Sequence, residues 1–287
     1  SAVPDDGRVL IVGDPNQLPP VGSGKPLIDL IASGRIPHGH LSTAHRYAGR
    51  IAAVCGAIHR GESWEPSPAL DLDAESPENF KHIERPTVGT QVRTMLTVVD
   101  RMRARGFDPV DDMQIVTALN EKGGLCRKEL NKHLQRHLNP DGKRVDKCNL
   151  RVGDKIICLK NGVRPASDDI NADPDACDDA YVANGETGRV VGINKKALLL
   201  SFGEDRYVVV GRTGWKDFDL GYAITTHKSQ GGGWPVVIAM IDDSGGARFL
   251  ADRSLHYTAL SRAKTVLFTI GRLAELQRQC RKVKVVN

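Results

Sequence analysis

Along this chain the spacing of apolar residues changes character twice, near residue 150 and again near residue 215. Val9-Leu10-Ile11-Val12 is a continuous, β-branched apolar run closed by Gly13-Asp14-Pro15, which predicts a buried strand feeding a loop. Residues 26–31 predict a short helix ended by Gly34. Within 48–60, Ile51, Val54 and Ile58 fall on one helical face and Gly61 stops the helix. Residues 65–86, rich in Pro, Ser, Asp and Glu without a period, read as an exposed connection. Val92, Met95, Leu96, Val99 and Met102 form a helical stripe ended by Gly106, and 114–117 is a strand. Leu130, Leu134 and Leu138 mark a helix halted by Asn139-Pro140.

Past residue 150 come short β-type runs at 155–159, 188–193, 197–202 and 206–210, separated by Gly and Asp turns. They predict a small barrel or meander inserted in an α/β framework. The acidic stretch 168–175 has the look of a calcium loop, but Pro174 stands where such a loop needs glycine, so it reads as a solvated surface loop. From Trp215 the α/β rhythm resumes. A strand end at 222–225 leads to the turn of a helix at 227–231, then a buried strand at 236–241. A helix at 255–263, a strand at 266–270 and a helix at 273–281 complete the chain. Strands alternating with helices imply a parallel sheet, with ligands at the C-terminal strand ends.

At 287 residues there is room for two compact domains, or for one large domain with an insertion. Hydrophobic residues at 40% and charged residues at 26% suit a water-soluble protein. No run reaches the roughly 18 apolar residues of a membrane span, and the first residues lack the basic and apolar regions of a signal peptide. The expectation is a cytoplasmic protein without membrane partners. A formal charge of +5 and a pI near 8.9 accommodate a nucleic-acid partner without requiring one. Six cysteines lie far apart with no C-x-x-C pair, which predicts reduced thiols, no structural metal and no disulfides.

Three segments carry candidate chemistry. In Val12-Gly13-Asp14-Pro15-Asn16-Gln17-Leu18-Pro19-Pro20-Val21, a strand end presents a carboxylate and then an amide. The Gln17 amide can donate to a phosphate oxygen and orient a water, where a carboxylate would repel the phosphate. Standing alone, the segment would be a Pro-rich turn after an edge strand. In Tyr222-Ala223-Ile224-Thr225-Thr226-His227-Lys228-Ser229-Gln230-Gly231-Gly232, a strand runs into a polar helix start. Thr225, Thr226, His227 and Lys228 supply hydroxyl, imidazole and ammonium donors suited to phosphodiester oxygens. In His256-Tyr257-Thr258-Ala259-Leu260-Ser261-Arg262-Ala263-Lys264, Arg262 sits on a helix beside the sheet. Such an arginine is a surface charge or ion-pair partner in most proteins and an arginine finger in nucleotide hydrolases.

In this order the segments resemble the helicase motifs of the RecD-like branch of superfamily 1. Residues 13–21 are similar to motif III, 222–231 to motif V and 257–264 to motif VI, while Leu41-Ser42-Thr43-Ala44-His45-Arg46 looks like motif IV. Weaker echoes fall at 130–140, at Val152-Gly153-Asp154-Lys155 and at Asn184-Gly185-Glu186-Thr187-Gly188. The resemblance implies a 5′–3′ motor of two RecA-like α/β domains that clamps ATP and steps along single-stranded DNA. It divides the chain into the tail of a first RecA-like domain (1–35), a second RecA-like domain in two parts (36–150 and 216–287) and an inserted small β-barrel (151–215). By the same carry-over, Gln17 and Arg262 are catalytic, and Asp14, Gln17, Arg46, Gly231 and Arg262 face ATP. Pro20, Thr225, Thr226, His227 and Lys228 face DNA, and Tyr181, Trp215 and Trp234 could stack on bases or simply pack. The partners implied are single-stranded DNA and nuclease or recombination subunits.

Two departures qualify the likeness. The phosphate-binding pattern G-x-x-x-x-G-K-[ST] is missing: around Gly22-Ser23-Gly24-Lys25, Pro26 replaces the magnesium-binding hydroxyl and Pro19 the first glycine. The acidic pair of motif II is missing as well. ATP and Mg2+ are therefore expected in the full-length protein, with none bound to this chain alone and no appreciable ATPase activity from it. Gly233 also stands where the family often has Glu. Two rival readings are a non-catalytic module that binds single strands or a partner protein on a helicase scaffold, and the helicase part of a conjugative relaxase.

Overall fold

Two sheets, one parallel and one antiparallel, organise the chain in the computed structural model, which describes residues 4, 6–19, 24–40, 48–145, 148–203 and 205–283. The helices are α1 Pro26–Ala32, α2 Gly49–Arg60, α3 Val88–Ala104, α4 Arg127–Leu138, α5 Gly245–Leu250, α6 Arg253–Leu260 and α7 Leu273–Arg281. The first strands are β1 Phe80–Glu84, β2 Met113–Thr117, β3 Lys155–Cys158, β4 Gly162–Ala166, β5 Asp178–Val182 and β6 Thr187–Ile193. They are followed by β7 Ala197–Ser201, β8 Tyr207–Gly211, β9 Phe218–Leu220, β10 Ala223–Thr225, β11 Trp234–Met240 and β12 Ala263–Gly271.

The parallel sheet runs in the order β1-β12-β11-β2-β10. Its central strands read as unbroken apolar runs because both faces are covered. In β11, Val236, Ile238 and Met240 point into one core with Met95, Leu130, Val266 and Phe268, while Val237 and Ala239 point into another. That second core holds Ile51, Val54 and Ile58 of α2, Leu260 of α6 and Leu276 of α7. Helices α2, α6 and α7 thus cover one face, and α3 and α4 cover the other. β10 is an edge strand paired only with β2, and Asn131 of α4 takes the place of its missing neighbour. The amide of Asn131 donates to the Ala223 carbonyl (2.8 Å) and accepts from the Ala223 N–H (2.9 Å), closing the edge.

The β-rich unit is an antiparallel sheet in the order β5-β4-β8-β7-β6-β3-β9. Its apolar face, with Val190, Leu198, Leu200, Val208 and Phe218, is continuous with the core under α3 and α4. The chain passes from β9 to β10 within a few residues. Gly221 makes that transfer possible, since a Cβ there would meet the Ile156 carbonyl at 2.6 Å.

Several expectations change in the folded chain. Val9, Leu10, Ile11 and Val12 are 67%, 88%, 55% and 83% exposed and form no strand. Among the described residues nothing lies beside them to accept the ladder that a strand requires. The connection at 65–86 contains the edge strand β1, whose anchor Phe80 is fully buried. Its pattern is hidden because Lys81, His82 and Glu84 occupy positions open to solvent or to polar partners. β4 and β5 add a hairpin that Pro165 and the Asp pair 178–179 had disguised. The helix expected at 255–263 ends at Leu260, and Ala263 already belongs to β12. The residues after β10 form a single 3-10 turn, His227–Ser229. Among the described residues no helix is long and apolar enough to cross a membrane.

Ile238 is fully buried at the middle of the sheet. Ile238→Ala should lower unfolding free energy by about 2–5 kcal/mol, against about 0.5 kcal/mol or less for the exposed Val163→Ala. Urea-denaturation midpoints measure both.

Candidate functional site

β10 and β11 are parallel and separated by β2, so the chain between them must travel from the C-terminal end of one to the N-terminal end of the other. Residues 226–233 make that return. The candidate site is consequently drawn out along the sheet, with Thr225 at the C-terminal end of β10 and Gly232 beside the start of β11. Arg262 lies at the N-terminal ends of β11 and β12, where its carbonyl accepts from the Trp234 N–H at 3.0 Å. The expected position at the C-terminal strand ends is occupied by Thr225 and Thr226, the latter bonded to Thr117 at the end of β2. A crossover between parallel strands carries the rest of the segment away from that end.

The loop bearing Asp14 and Gln17 docks onto this crossover. Asp14 folds the loop on itself, its carboxylate accepting from the Asn16 N–H (2.9 Å) and the Gln17 side-chain amide (3.0 Å). Leu18 then bonds in both directions: its N–H donates to Thr258 Oγ1 on α6 (2.9 Å), and its carbonyl accepts from Gln230 Nε2 (2.8 Å). Three segments spread over most of the chain thereby meet around one backbone residue. Thr258 and Gln230 hold them together. Both lie inside segments singled out from the sequence, but neither side chain shows its role until the fold places it opposite Leu18.

Arg262 is 1% exposed. Its Nε donates to the Thr258 carbonyl (2.9 Å), Nη1 to the Gly232 carbonyl (3.2 Å) and Nη2 to Ser261 Oγ (3.1 Å). The guanidinium therefore braces the glycine turn. Gly231 adopts φ +80° and is exposed, the left-handed conformation that glycine tolerates. At Gly232 a Cβ would lie 2.4 Å from the Trp234 ring.

The four donors expected at DNA divide into two groups. Thr226 is buried, with its N–H on the Thr117 carbonyl at 3.0 Å and its hydroxyl 3.5 Å from the same oxygen. Edge strand β10 ends there, and Thr226 is turned inward to extend its pairing with β2. Thr225 is partly exposed and its hydroxyl accepts from the Lys228 N–H at 3.4 Å; His227 is exposed. The Lys228 ammonium donates to Asn184 Oδ1, and the Asn184 N–H donates to Asn161 Oδ1 at 2.6 Å. The 183–186 turn of the antiparallel sheet therefore stands against the His227 turn. Of the aromatic candidates, Tyr181 is exposed, Trp215 donates its indole N–H to the Val210 carbonyl (3.1 Å), and Trp234 is buried. Pro20 and Arg46 lie outside the described residues.

As a test of fit for nucleotide, the Gln17 amide is engaged by the Asp14 carboxylate and the Arg262 guanidinium is buried on protein oxygens, while the Gly231 backbone is exposed. The lysine, hydroxyl and carboxylates that hold Mg–ATP have no counterpart in the sequence motifs, and among the described residues no group of His, Cys, Asp or Glu could hold a metal ion.

One buried cation was not legible from the sequence. Lys155 is 1% exposed, donates Nζ to the Met113 carbonyl (2.7 Å) and lies 5.8 Å from the centroid of the Trp234 ring. Burial pushes its pKa down to about 7, against the opposing pull of Asp111, Asp108 and Asp112.

Comparison with known proteins gives these residues a setting. The profile of the UvrD-like helicase C-terminal domain matches residues 220–270, and that of an AAA domain matches residues 1–73. The ATP-dependent RecD2 DNA helicase of Deinococcus radiodurans is 32% identical over 94% of this chain and 33% of its own length. The RecBCD enzyme subunit RecD of Mycolicibacterium smegmatis is 28% identical over 96% of this chain and 47% of its own. The chain thus spans between a third and a half of these relatives. In fold it is similar to a Bacteroides Pif1 crystallised with single-stranded DNA, with TM-score 0.50 and 15% identity over 95% of this chain and 65% of that one.

A titration follows from Lys155. Its folded pKa lies below the usual lysine value, so from about pH 7 upward the unfolded chain holds a proton that the folded chain does not. Stability should therefore rise with pH across that window and be insensitive to this group below it. Denaturation midpoints from pH 7 to 10 should show the wild type gaining on Lys155→Met as pH increases. Parallel curves would contradict this.

Proposed function

We propose that this chain, a RecD-like superfamily 1 helicase sequence along nearly its whole length, is the part of an ATP-dependent 5′–3′ DNA helicase or translocase that senses nucleotide and grips single-stranded DNA. The observation that carries this reading is the pair of hydrogen bonds by which the Leu18 N–H donates to Thr258 Oγ1 and its carbonyl accepts from Gln230 Nε2. Through it, a displacement of the Gln17 loop would be transmitted both to the glycine turn and to helix α6, which Arg262 follows.

In this reading Gln17, oriented by Asp14, faces the terminal phosphate of ATP. Gly231 lines the nucleotide, and Arg46 and Arg262 complete the positive side. Arg262 would exchange its Gly232 carbonyl partner for phosphate oxygens as the site closes. ATP and Mg2+ belong to the whole protein, whose remaining residues would supply the phosphate cradle and the metal ligands. Residues 1–35, 36–150, 151–215 and 216–287 would act as the tail of one RecA-like unit, the two parts of a second, and the inserted β-rich unit between those parts. Single-stranded DNA is the proposed track, and nuclease or recombination subunits are the proposed protein partners.

At the DNA, Thr225, His227 and Lys228 would donate to successive phosphate oxygens, with Pro20 close by. Thr226 would act from inside by pinning the turn to β2. Contacts to phosphate place a protein on the strand without reading its sequence, so the grip should be salt-sensitive and indifferent to base composition.

Fluorescence anisotropy of this chain with a labelled single-stranded oligonucleotide across a salt series tests the grip. His227→Ala/Lys228→Ala should weaken binding and flatten the log–log salt slope by about 0.7 for each phosphate the variant no longer neutralises. An unchanged slope would move the strand elsewhere on the molecule. For the division of labour, steady-state phosphate release by this chain should stay at background with and without single-stranded DNA. DNA-stimulated release that disappears in Arg262→Ala would overturn that assignment.

A further inference from the structure

The reading above leaves one buried charge unused. Asp154, at the entry to β3, is 0% exposed and makes no ion pair among the described residues. Four donors converge on it instead. Gln135 Nε2 (2.6 Å) and the Arg151 N–H (2.7 Å) meet Oδ2, while Asn139 Nδ2 (2.7 Å) and the Tyr222 phenol (3.1 Å) meet Oδ1. A carboxylate stripped of water without a cation is costly unless its lone pairs are filled, and here they are. An asparagine in its place would turn an NH2 group against donors. An acceptor-only group is what this position demands.

The partners belong to different parts of the fold. Gln135 and Asn139 form the C-terminal end of α4, under the parallel sheet. The Asp154 backbone belongs to the antiparallel sheet: its carbonyl accepts from the Val190 N–H of β6 (2.9 Å), and the neighbouring Gly153 N–H donates to the Val190 carbonyl (2.7 Å). Tyr222, 2% exposed, immediately precedes β10. On either side of the phenol, the backbone is already held. Gln114 Nε2 donates to the carbonyls of Gly221 (3.0 Å) and Tyr222 (2.9 Å), and Asn131 grips Ala223. The Tyr222 phenol adds a further point of attachment to this segment, three residues before β10 ends at Thr225. Asp154 is the anchor that belongs to the inserted sheet.

We propose that Asp154 is a positioning residue for the His227 turn, acting through the Tyr222 phenol, so that the inserted antiparallel sheet and the strand-gripping turn are held in one register. This inference rests on the reading that the turn binds single-stranded nucleic acid. It also joins two of the weaker sequence echoes, 130–140 and 152–155, to the segment at 222–232 in one hydrogen-bonded assembly.

Tyr222→Phe is the decisive variant, because it removes the hydroxyl and keeps the ring. In anisotropy with a labelled single strand it should bind about five-fold more weakly, the effect of losing one well-placed hydrogen bond. Its salt slope should match the wild type, because no phosphate contact is removed. A role confined to stability would lower the melting temperature and leave affinity unchanged. Asp154→Asn/Tyr222→Phe should bind no more weakly than Asp154→Asn alone, since both changes break the same link. Wild-type affinity in Tyr222→Phe, or a flattened slope, overturns the proposal. If Asp154→Asn does not fold, the single tyrosine variant decides. Binding by the wild type, a flattened slope in His227→Ala/Lys228→Ala and full affinity in Tyr222→Phe would sink the positioning role while sparing the grip. A wild-type chain that binds no single strand at low salt sinks both.

Discussion

The parallel pairing of β10 and β11 with β2 is the constraint on which the candidate site depends. Parallel strands that are not joined by a hairpin must be connected by a segment that returns the length of the sheet. Here that segment is only residues 226–233, too short for the usual crossover helix, and it runs as one 3-10 turn, then Gln230, then three glycines. A chain stretched this way exposes polar backbone, and the structure satisfies it locally. Thr117 takes the Thr226 N–H, Arg262 takes the Gly232 carbonyl, and Gln230 reaches the Leu18 carbonyl. The groups that hold the crossover are the groups that bring the other two segments to it.

The seam between the two sheets is unusually polar for a buried place. Gln114, Asn131, Asp154 and Lys155 are each nearly or completely buried there, and each bonds to backbone or to a network member. Burying such groups costs free energy where a donor or acceptor finds no partner, as at the Gln114 side-chain oxygen, and the bonds that are made render the geometry specific. An apolar seam could slide by a register; one that matches an amide to a single peptide unit cannot. For the proposed positioning role this supplies a physical reason: the antiparallel sheet meets the segment before the turn through hydrogen bonds whose register is fixed.

Regular elements with both faces covered were legible in the sequence. The helices α2, α3 and α7 announce themselves by period, because burial selects one face at every turn, and β2, β11 and β12 by unbroken apolar runs, because both faces of the sheet are covered. The three motif segments stood out for a different reason, small residues and donors in close succession, and the fold brings all three together around Leu18 and Gly232. The exposed run 9–12 has the composition of a buried strand and no ladder, which shows that composition states a requirement and cannot supply the neighbour that meets it.

What the tertiary structure alone decided is which side chains do the holding. Thr226 carries the same hydroxyl as Thr225, yet Thr226 is buried against the Thr117 carbonyl and Thr225 is partly exposed, because successive residues of an extended chain face opposite sides. Thr258, Gln230 and Asn184 look like ordinary polar residues until a partner from a distant segment arrives opposite each. Asp154 and Lys155 are adjacent and oppositely charged, and in the sequence they belong only to the weaker echo at 152–155. The fold buries both and sends them to different partners, because successive residues at a strand point to opposite sides. Local periodicity determined the elements of this protein; long-range hydrogen bonding determined its site, since a side chain's donors and acceptors take their meaning from groups that only folding brings within reach.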